Sequence, residues 1–217
     1  MTKAQLTISS KTYSAWSLRG WLMCKLAGLD VEELPAPKDA SDRAELLLLS
    51  PSVLVPRLTH EGASVWDTLA IAEYLNELYP DAGMLPADRI ARAHCRSISG
   101  EIHSGFTNLR SALPMNLKVR HEKFPVFSGA KPDIERIETI WRECLSRYGG
   151  PFLFGERPTT ADAMYAPVTR RFITYAVAIA PESAAYCDTI DGWAPMQEWV
   201  RAALAEPEEM EELEVEF

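Results

Sequence analysis

The sequence predicts an α/β domain followed by an all-α domain. Up to Tyr79, short β-type runs alternate with helical stripes of apolar residues, whereas from Asp88 onward the periodicity is helical. Between them, residues 80–87 are rich in proline and turn residues and are predicted to be the linker. The chain has 217 residues, 47% of them hydrophobic, which suffices for two modest cores. We therefore expect domains over residues 1–79 and 88–217.

The first half of the first domain has the pattern of a βαβ unit. Residues 5–8 and 31–34 are short β-type runs. The helix between them has an apolar stripe that begins at Trp16, and it is predicted to stop at Gly28. Since one helix separates the two strands, they should be parallel with a right-handed crossover. A further helical turn or two is expected over residues 42–49.

The second half of this domain is predicted to be strand, turn, strand and helix. The two predicted strands, residues 57–60 and 63–66, flank a Glu-Gly pair. The glycine supplies the positive φ that a tight hairpin needs. Asp67 or Thr68 then caps a helix that ends before Pro80. The unpaired N–H groups and the positive dipole end of that helix favour a bound carboxylate there. The complete order, βαβ followed by ββα, is the thioredoxin-like arrangement.

Pro56 stands just before the third predicted strand, where a proline is tolerated. A cis Val55-Pro56 bond would leave the Val55 backbone free to pair with an extended ligand. The local pattern thus predicts two neighbouring ligand contacts, one at Val55 and one at the start of the following helix.

The second domain is predicted to contain four or five helices. The first spans residues 89–113 and is ended or bent by the proline that follows. Residues 118–132 are expected to form a loop or short helix, and Asp133 is expected to cap a second long helix. Thr159 and Asp162 have the spacing of a capping box at the start of a further helix.

The composition argues against nucleic-acid and membrane partners. The net charge is −9 at pH 7, and no basic stripe offsets phosphate repulsion. The longest apolar runs are far shorter than the roughly 20 residues of a spanning helix. The N-terminal run MTKAQLTISS has no hydrophobic signal core, so we expect a cytoplasmic protein.

Neither a metal site nor a redox dithiol is predicted. The four cysteines are far apart in the sequence, and the four histidines do not form a helical metal pair.

The end of the sequence is acidic: residues 206–217 contain seven glutamates and neither lysine nor arginine. We expect a solvated tail there, with an interaction motif as the less favoured alternative.

These motifs resemble those of the glutathione transferase family. The Val-Pro pair before a strand and the run Trp-Asp-Thr-Leu-Ala-Ile at residues 66–71 are similar to the Val-Pro and Glu-Ser-x-Ala-Ile signatures of that family. The Thr-x-Ala-Asp run at residues 159–162 is similar to the start of the buried helix in its second domain. The resemblance implies a thioredoxin-like N-terminal domain and an all-helical C-terminal domain. It also implies glutathione as co-substrate, a small-molecule electrophile as second substrate, and a homodimer.

The resemblance also implies where glutathione would lie. Val55, in the motif with Pro56, would pair its backbone with the cysteinyl unit, and Asp67 and Thr68 would hold the γ-glutamyl end. The lead-in at residues 50–54 departs from the family pattern, because it lacks the usual glycine and lysine. Lys11 in the first loop could instead meet the glycyl carboxylate, although a solvated lysine explains it equally well.

A hydroxyl of the first βα loop should activate the thiol of glutathione, since a hydrogen bond at a helix N-terminus favours the thiolate. Ser14 is the first candidate because it stands at the expected helix start; Ser17, Thr12 and Ser10 are the alternatives. The run Tyr-Ser-Ala-Trp-Ser-Leu-Arg resembles both the zeta-class loop and the Tyr-Ser-Ser-Trp-Ser-Leu-Arg of a bacterial subgroup. Ser14 is also an ordinary N-cap, and capping alone would explain it.

The resemblance implies glutathione conjugation or a zeta-like isomerisation, two reactions that share the thiolate. The alternative is a protein of the same fold that binds glutathione or a partner without catalysis. For the second substrate, His103, Arg110 and Met115 are candidates, although a lone histidine or arginine on a helix is more often a polar packing contact.

Overall fold

The structure is a computed structural model that describes residues 4–37, 54–122 and 124–207. Its sheet has four strands in the order β2-β1-β3-β4, which are β1 Ala4–Ile8, β2 Val31–Pro35, β3 Arg57–His60 and β4 Ala63–Trp66. β1 is parallel to β2 and antiparallel to β3, and β3 and β4 form the hairpin. This confirms the predicted thioredoxin-like order. The helix expected over residues 42–49 lies outside the described residues.

Two helices of the first domain, α1 Ala15–Ala27 and α2 Thr68–Leu78, pack against each other. α1 ends as predicted at Gly28, which adopts φ 70° and donates its N–H to the Lys25 carbonyl. Most of its residues are buried, because the helix is enclosed by its own domain and also by helices of the second domain.

The second domain of the described chain holds six α-helices, more than the four or five expected. They are α3 Arg89–Ser104, α4 Thr107–Ala112, α5 Lys131–Tyr148, α6 Thr160–Thr174, α7 Pro181–Gly192 and α8 Ala194–Leu204. Short 3₁₀ turns at Pro80–Ala82 and Ser128–Ala130 precede α3 and α5. No helix in the described ranges is long and apolar enough to cross a membrane.

The prediction of one helix over residues 89–113 is wrong, because the chain breaks between α3 and α4. The Gly105 N–H donates the last hydrogen bond of α3, to the Glu101 carbonyl. Phe106 then adopts φ 62°, which ends the right-handed helix. A Cβ on Gly105 would lie only 2.8 Å from the Glu101 oxygen, so glycine allows the chain to turn there.

Asp133 does not cap α5, contrary to prediction. α5 begins at Lys131 with a proline in its first turn, and Asp133 lies within that turn. Its Oδ2 instead accepts a hydrogen bond of 2.9 Å from the Leu109 N–H in α4. The carboxylate therefore satisfies a free amide of a neighbouring helix.

The predicted capping box at the start of α6 is confirmed. Asp162 Oδ2 accepts from the Thr159 N–H at 2.7 Å and from the Thr159 hydroxyl at 2.9 Å. Its Oδ1 accepts from the Leu153 N–H and the Tyr186 hydroxyl. Burial raises the pKa of Asp162, and these four hydrogen bonds oppose that effect. The contacts tie three segments of the second domain to one carboxyl group.

Arg19 connects the two domains through α1. Its side chain is almost completely buried, and Nε donates to the Met164 carbonyl of α6 at 2.9 Å. Further along the same helix, Trp21 packs on Trp199 of α8 with ring centroids 5.3 Å apart. The N-terminus of α1 therefore lies where the first domain meets the second.

Candidate functional site

Three serine hydroxyls lie in series at the N-terminus of α1. Ser14 is the N-cap, and its Oγ accepts from the Ser17 N–H at 3.2 Å. The two hydroxyl oxygens are 2.9 Å apart, and the Ser17 Oγ also accepts from the Ser9 N–H at 3.1 Å, with the Ser9 Oγ 3.4 Å away. The structure therefore brings two of the predicted thiolate donors, Ser14 and Ser17, together.

Both hydroxyls are buried. Ser14 is 2% exposed at the helix end, and Ser17 is 0% exposed in the first turn of the helix. Tyr13, the residue before the cap, is half-buried. The Ser14 hydroxyl donates to the Ser17 Oγ, so its hydrogen must rotate away from Ser17 before Ser14 can donate to an anion.

The loop that precedes Ser14 is bound by the second domain. The Thr12 hydroxyl is buried and donates to the Ala203 carbonyl at 3.2 Å and to the Glu206 carboxylate at 2.9 Å. Lys11 Nζ lies 2.5 Å from Glu33 and 4.8 Å from the centroid of the Trp199 ring. The structure thus turns Thr12 toward the end of α8 and shows that Lys11 is not solvated.

The Val55-Pro56 peptide bond is cis, the isomer for which the sequence analysis expected a free Val55 backbone. Pro56 packs directly on α1 at Gly20, where an added Cβ would lie 2.5 Å from the proline Cγ. Val55 is half-buried, and Leu54 beside it is largely exposed. The close contact fixes the loop that carries Val55 against the helix that Ser14 caps.

Asp67 caps α2 with one oxygen and contacts the second domain with the other. Oδ1 accepts from the Leu69 N–H at 2.8 Å and the Ala70 N–H at 3.3 Å, while Oδ2 lies 2.6 Å from His103 Nε2 of α3. The residue adopts φ 75°, an uncommon conformation for a residue with a side chain, and such residues cluster at binding sites. Thr68 is buried, and its Oγ1 has no hydrogen-bond partner in the described structure.

An aromatic platform, Trp16 in the first turn of α1, lies beside these groups. The guanidinium carbons of Arg19 and Arg110 lie 4.5 and 4.8 Å from the centroid of the Trp16 ring, and the His103 ring meets it edge-on at 5.2 Å. Arg110 also donates to two carbonyls of the last turn of α3, one of them that of His103 at 3.1 Å.

The second-substrate candidates thus have different environments. His103 reaches Asp67, Arg110 is buried against Trp16 and backbone carbonyls, and Met115 is buried in the core. Sequence reasoning missed Trp16 as the packing partner, although it belongs to the quoted loop motif. It also missed Glu206, for which the acidic composition of the end of the chain was the only signal.

The thiols of the chain are structural in the described part. All four cysteines are buried and free, and burial raises the pKa of each to about 12. Among the residues that the structure covers, no group of three or more His, Cys, Asp and Glu side chains is placed to hold a metal.

The structure thus joins a thioredoxin-like domain to a helical domain, and the capped N-termini of α1 and α2 lie where residues of the two domains meet. The model of the glutathione S-transferase N-terminal domain matches residues 13–78, and that of the C-terminal domain matches residues 118–202. The two matches fall in the two domains, so the chain belongs to the glutathione transferase family.

Related proteins agree with this assignment. A probable maleylacetoacetate isomerase of Caenorhabditis elegans is 32% identical over 128 residues, which are 58% of this chain and 59% of that protein. The maleylacetoacetate isomerase of Rattus norvegicus is 28% identical over 171 residues, 77% of each chain. A solved glutathione transferase homologue from Burkholderia gl BGR1, with bound glutathione, has a TM-score of 0.70 at 26% identity and covers 93% of this chain and 98% of its own. The predicted family, fold and class, a glutathione-dependent transferase or isomerase, are confirmed.

Proposed function

We propose that this protein binds glutathione across the N-termini of α1 and α2 and uses its thiolate to attack a small electrophile. The contact of Pro56 with Gly20 supports this most directly, because it holds the Val55 backbone against the helix that Ser14 caps. In this proposal Val55 pairs with the cysteinyl unit, and Asp67 and Thr68 receive the γ-glutamyl end. The buried Thr68 hydroxyl without a partner fits a position that a ligand completes.

Ser14 is the proposed thiolate donor, and Ser17 positions it. A free thiol with a pKa of about 8.5 is only a few per cent ionised at pH 7, whereas a pKa of roughly 6.5 gives about three-quarters thiolate. A hydroxyl at the positive end of a helix favours the charged form. Thr12 is not retained as donor in this proposal, since its hydroxyl is used by Glu206 and Ala203.

The proposed reaction is cis–trans isomerisation of a maleyl-type unsaturated acid, with conjugation to foreign electrophiles as the second activity. In isomerisation the thiolate adds to one carbon of the double bond, the remaining single bond rotates, and elimination returns the thiolate and the trans acid. Both reactions need the same first step. Two relatives named as maleylacetoacetate isomerases support the isomerisation.

The test is a pair of steady-state assays with purified protein, one with maleylacetoacetate and one with a panel of electrophiles, each with and without glutathione. We expect glutathione-dependent turnover of maleylacetoacetate. Turnover in the electrophile panel alone would make conjugation the activity. Glutathione binding by calorimetry without turnover in either assay would establish the non-catalytic alternative.

We also propose that the enzyme acts in the cytoplasm. Its four cysteines are free thiols, and the cytoplasm keeps both thiols and glutathione reduced. Fractionation of the source cells, with enzyme activity followed in each fraction, tests this.

A further inference from the structure

The segment just after α8 is joined to the loop between β1 and α1 by one carboxylate, that of Glu206. Glu206 Oε1 accepts from the Lys11 N–H at 2.7 Å, and Oε2 accepts from the Thr12 N–H at 3.0 Å. Oε2 also accepts from the hydroxyls of Ser10 and Thr12, each at 2.9 Å. Four donors from three consecutive residues therefore converge on one side chain that is distant in sequence.

The carbonyl groups of the same loop are bound by the second domain as well. The Trp199 Nε1–H donates to the Lys11 carbonyl at 2.9 Å, and the Leu117 N–H donates to the Thr12 carbonyl at 3.2 Å. Lys118 Nζ donates to the Glu206 carbonyl at 2.5 Å, which holds the backbone of the glutamate in place. The loop is thus fixed by contacts to the helical domain.

This loop determines where Ser14 lies. The Ser14 N–H donates to the Ser10 carbonyl at 3.0 Å, so the residue that caps α1 is bonded to a residue that Glu206 holds. The Ser10 hydroxyl also accepts from the Thr12 N–H at 3.1 Å. Any movement of Ser10 is therefore passed on to Ser14 through the backbone.

The hydrogen bonds from residues 10–12 to Glu206 favour the ionised form of its carboxyl group. Burial raises the pKa of Glu206, but hydrogen bonds from the Lys11 and Thr12 amides and the Thr12 and Ser10 hydroxyls outweigh it, and the net shift is downward. A carboxylate only accepts hydrogen bonds, whereas the amide of glutamine would direct an NH₂ group at donors. The expectation of a solvated tail is therefore wrong for Glu206.

We propose that Glu206 is a positioning residue for catalysis: its carboxylate fixes the loop at residues 10–12 and thereby the hydroxyl of Ser14. This inference rests on the proposed role of Ser14 in forming the thiolate. It goes beyond that role because it makes the segment just after α8 a determinant of glutathione activation.

The test compares Glu206→Ala and Glu206→Gln with a matched control, Glu198→Gln. Glu198 lies on α8, is half-exposed, and pairs with Lys25 away from the loop. Two quantities are measured in each protein: the pKa of bound glutathione from its thiolate absorbance, and the hydrogen exchange rates of the Lys11 and Thr12 amides. The Glu206→Ala protein is also measured with added sodium acetate, against sodium chloride at equal ionic strength.

In both Glu206 variants we expect the thiolate fraction at pH 7 to fall several-fold and the two amides to exchange about tenfold faster. Acetate should restore both quantities in Glu206→Ala, because it supplies a carboxylate to the space left by the side chain, whereas chloride should not. Glu198→Gln should match the unmodified protein.

An unchanged glutathione pKa would overturn the proposal, even if the amides exchanged faster, because the contact would then be structural only. If the unmodified protein does not bind glutathione, the proposed function fails. The amide exchange with acetate would still decide whether the Glu206 carboxylate anchors the loop.

Discussion

At the scale of single residues, a substitution can separate the observed role of Ser14 as N-cap from its proposed role as thiolate donor. If its hydroxyl donates to the thiolate, Ser14→Ala should raise the pKa of bound glutathione by about one unit, which corresponds to about 1.4 kcal/mol. The sign follows because the lost donor favoured the ionised form. If Ser14 is only the N-cap, the substitution should lower the free energy of unfolding by about 1 kcal/mol without moving that pKa.

Thiolate absorbance against pH and denaturant unfolding together decide between the roles. Ser97→Ala is the matched control, since Ser97 is exposed on α3 and donates only to its own helix. A pKa that stays unmoved in Ser14→Ala but shifts in Ser17→Ala or Tyr13→Phe would transfer the donor role to that residue.

A second prediction for a single residue concerns Asp67. Asp67→Ala should weaken glutathione binding by at least about 1 kcal/mol, because a charge-assisted contact to the γ-glutamyl end is lost. The cap on α2 is lost too, so Asp88→Ala is the control: Asp88 caps α3 in the same way, through Ile90 and Ala91 N–H groups. Calorimetry should show weakened binding in the first variant alone, and equal affinities in both would exclude the assigned role.

At the scale of elements, the packing of Pro56 on α1 makes Gly20 a determinant of the site. An alanine Cβ there would lie 2.5 and 2.6 Å from two atoms of the Pro56 ring, and a proline ring cannot move without its backbone. Gly20→Ala should therefore destabilise the fold by about 1–3 kcal/mol and also weaken glutathione binding, since Val55 moves with its neighbour.

Gly100→Ala provides the comparison for this prediction. Gly100 lies inside α3 with nothing within 4 Å of an added Cβ, so alanine should stabilise that helix by roughly 0.5–1 kcal/mol. Thermal unfolding and glutathione titration of both variants check the pair. A Gly20→Ala protein with unchanged affinity would show that the position of Pro56 does not control the site.

The elements that local chemistry determines were predictable from the sequence. Gly28 at the end of α1 and the capping box of Thr159 and Asp162 follow from rules that involve a few consecutive residues. The break at Phe106 was not predictable in this way, because it depends on a backbone conformation that apolar periodicity does not report. The contact of Glu206 with the first loop was missed for a related reason, since its partners lie almost the whole chain away.

At the scale of the whole molecule, residues of both domains meet at the proposed site. The first domain supplies the helix N-termini of α1 and α2, while the second supplies His103 against Asp67 and the contacts that hold the first loop. The loop at residues 10–12 is thus fixed only when both domains are present. The first domain alone lacks the contacts from Leu117, Trp199 and Glu206 that hold the loop before Ser14.

The last prediction is that the protein is a homodimer, with apolar surface at the junction of the domains at its interface. Leu78 at the end of α2 is 41% exposed, and Ile90 at the start of α3 is 59% exposed. Large exposed aliphatic side chains on adjoining elements favour burial against a second copy. Sedimentation at micromolar concentration should give a species of twice the 24.2 kDa chain mass.

The double substitution Leu78→Glu with Ile90→Glu should shift this species to the monomer, because two carboxylates would be buried at the interface in each copy. Phe127→Glu is the control, since Phe127 is 63% exposed, more than either Leu78 or Ile90, but lies in the segment before α5. A 24.2 kDa species in the unmodified protein would disprove the dimer. Dissociation by the control but not by the double substitution would move the interface to the surface around Phe127.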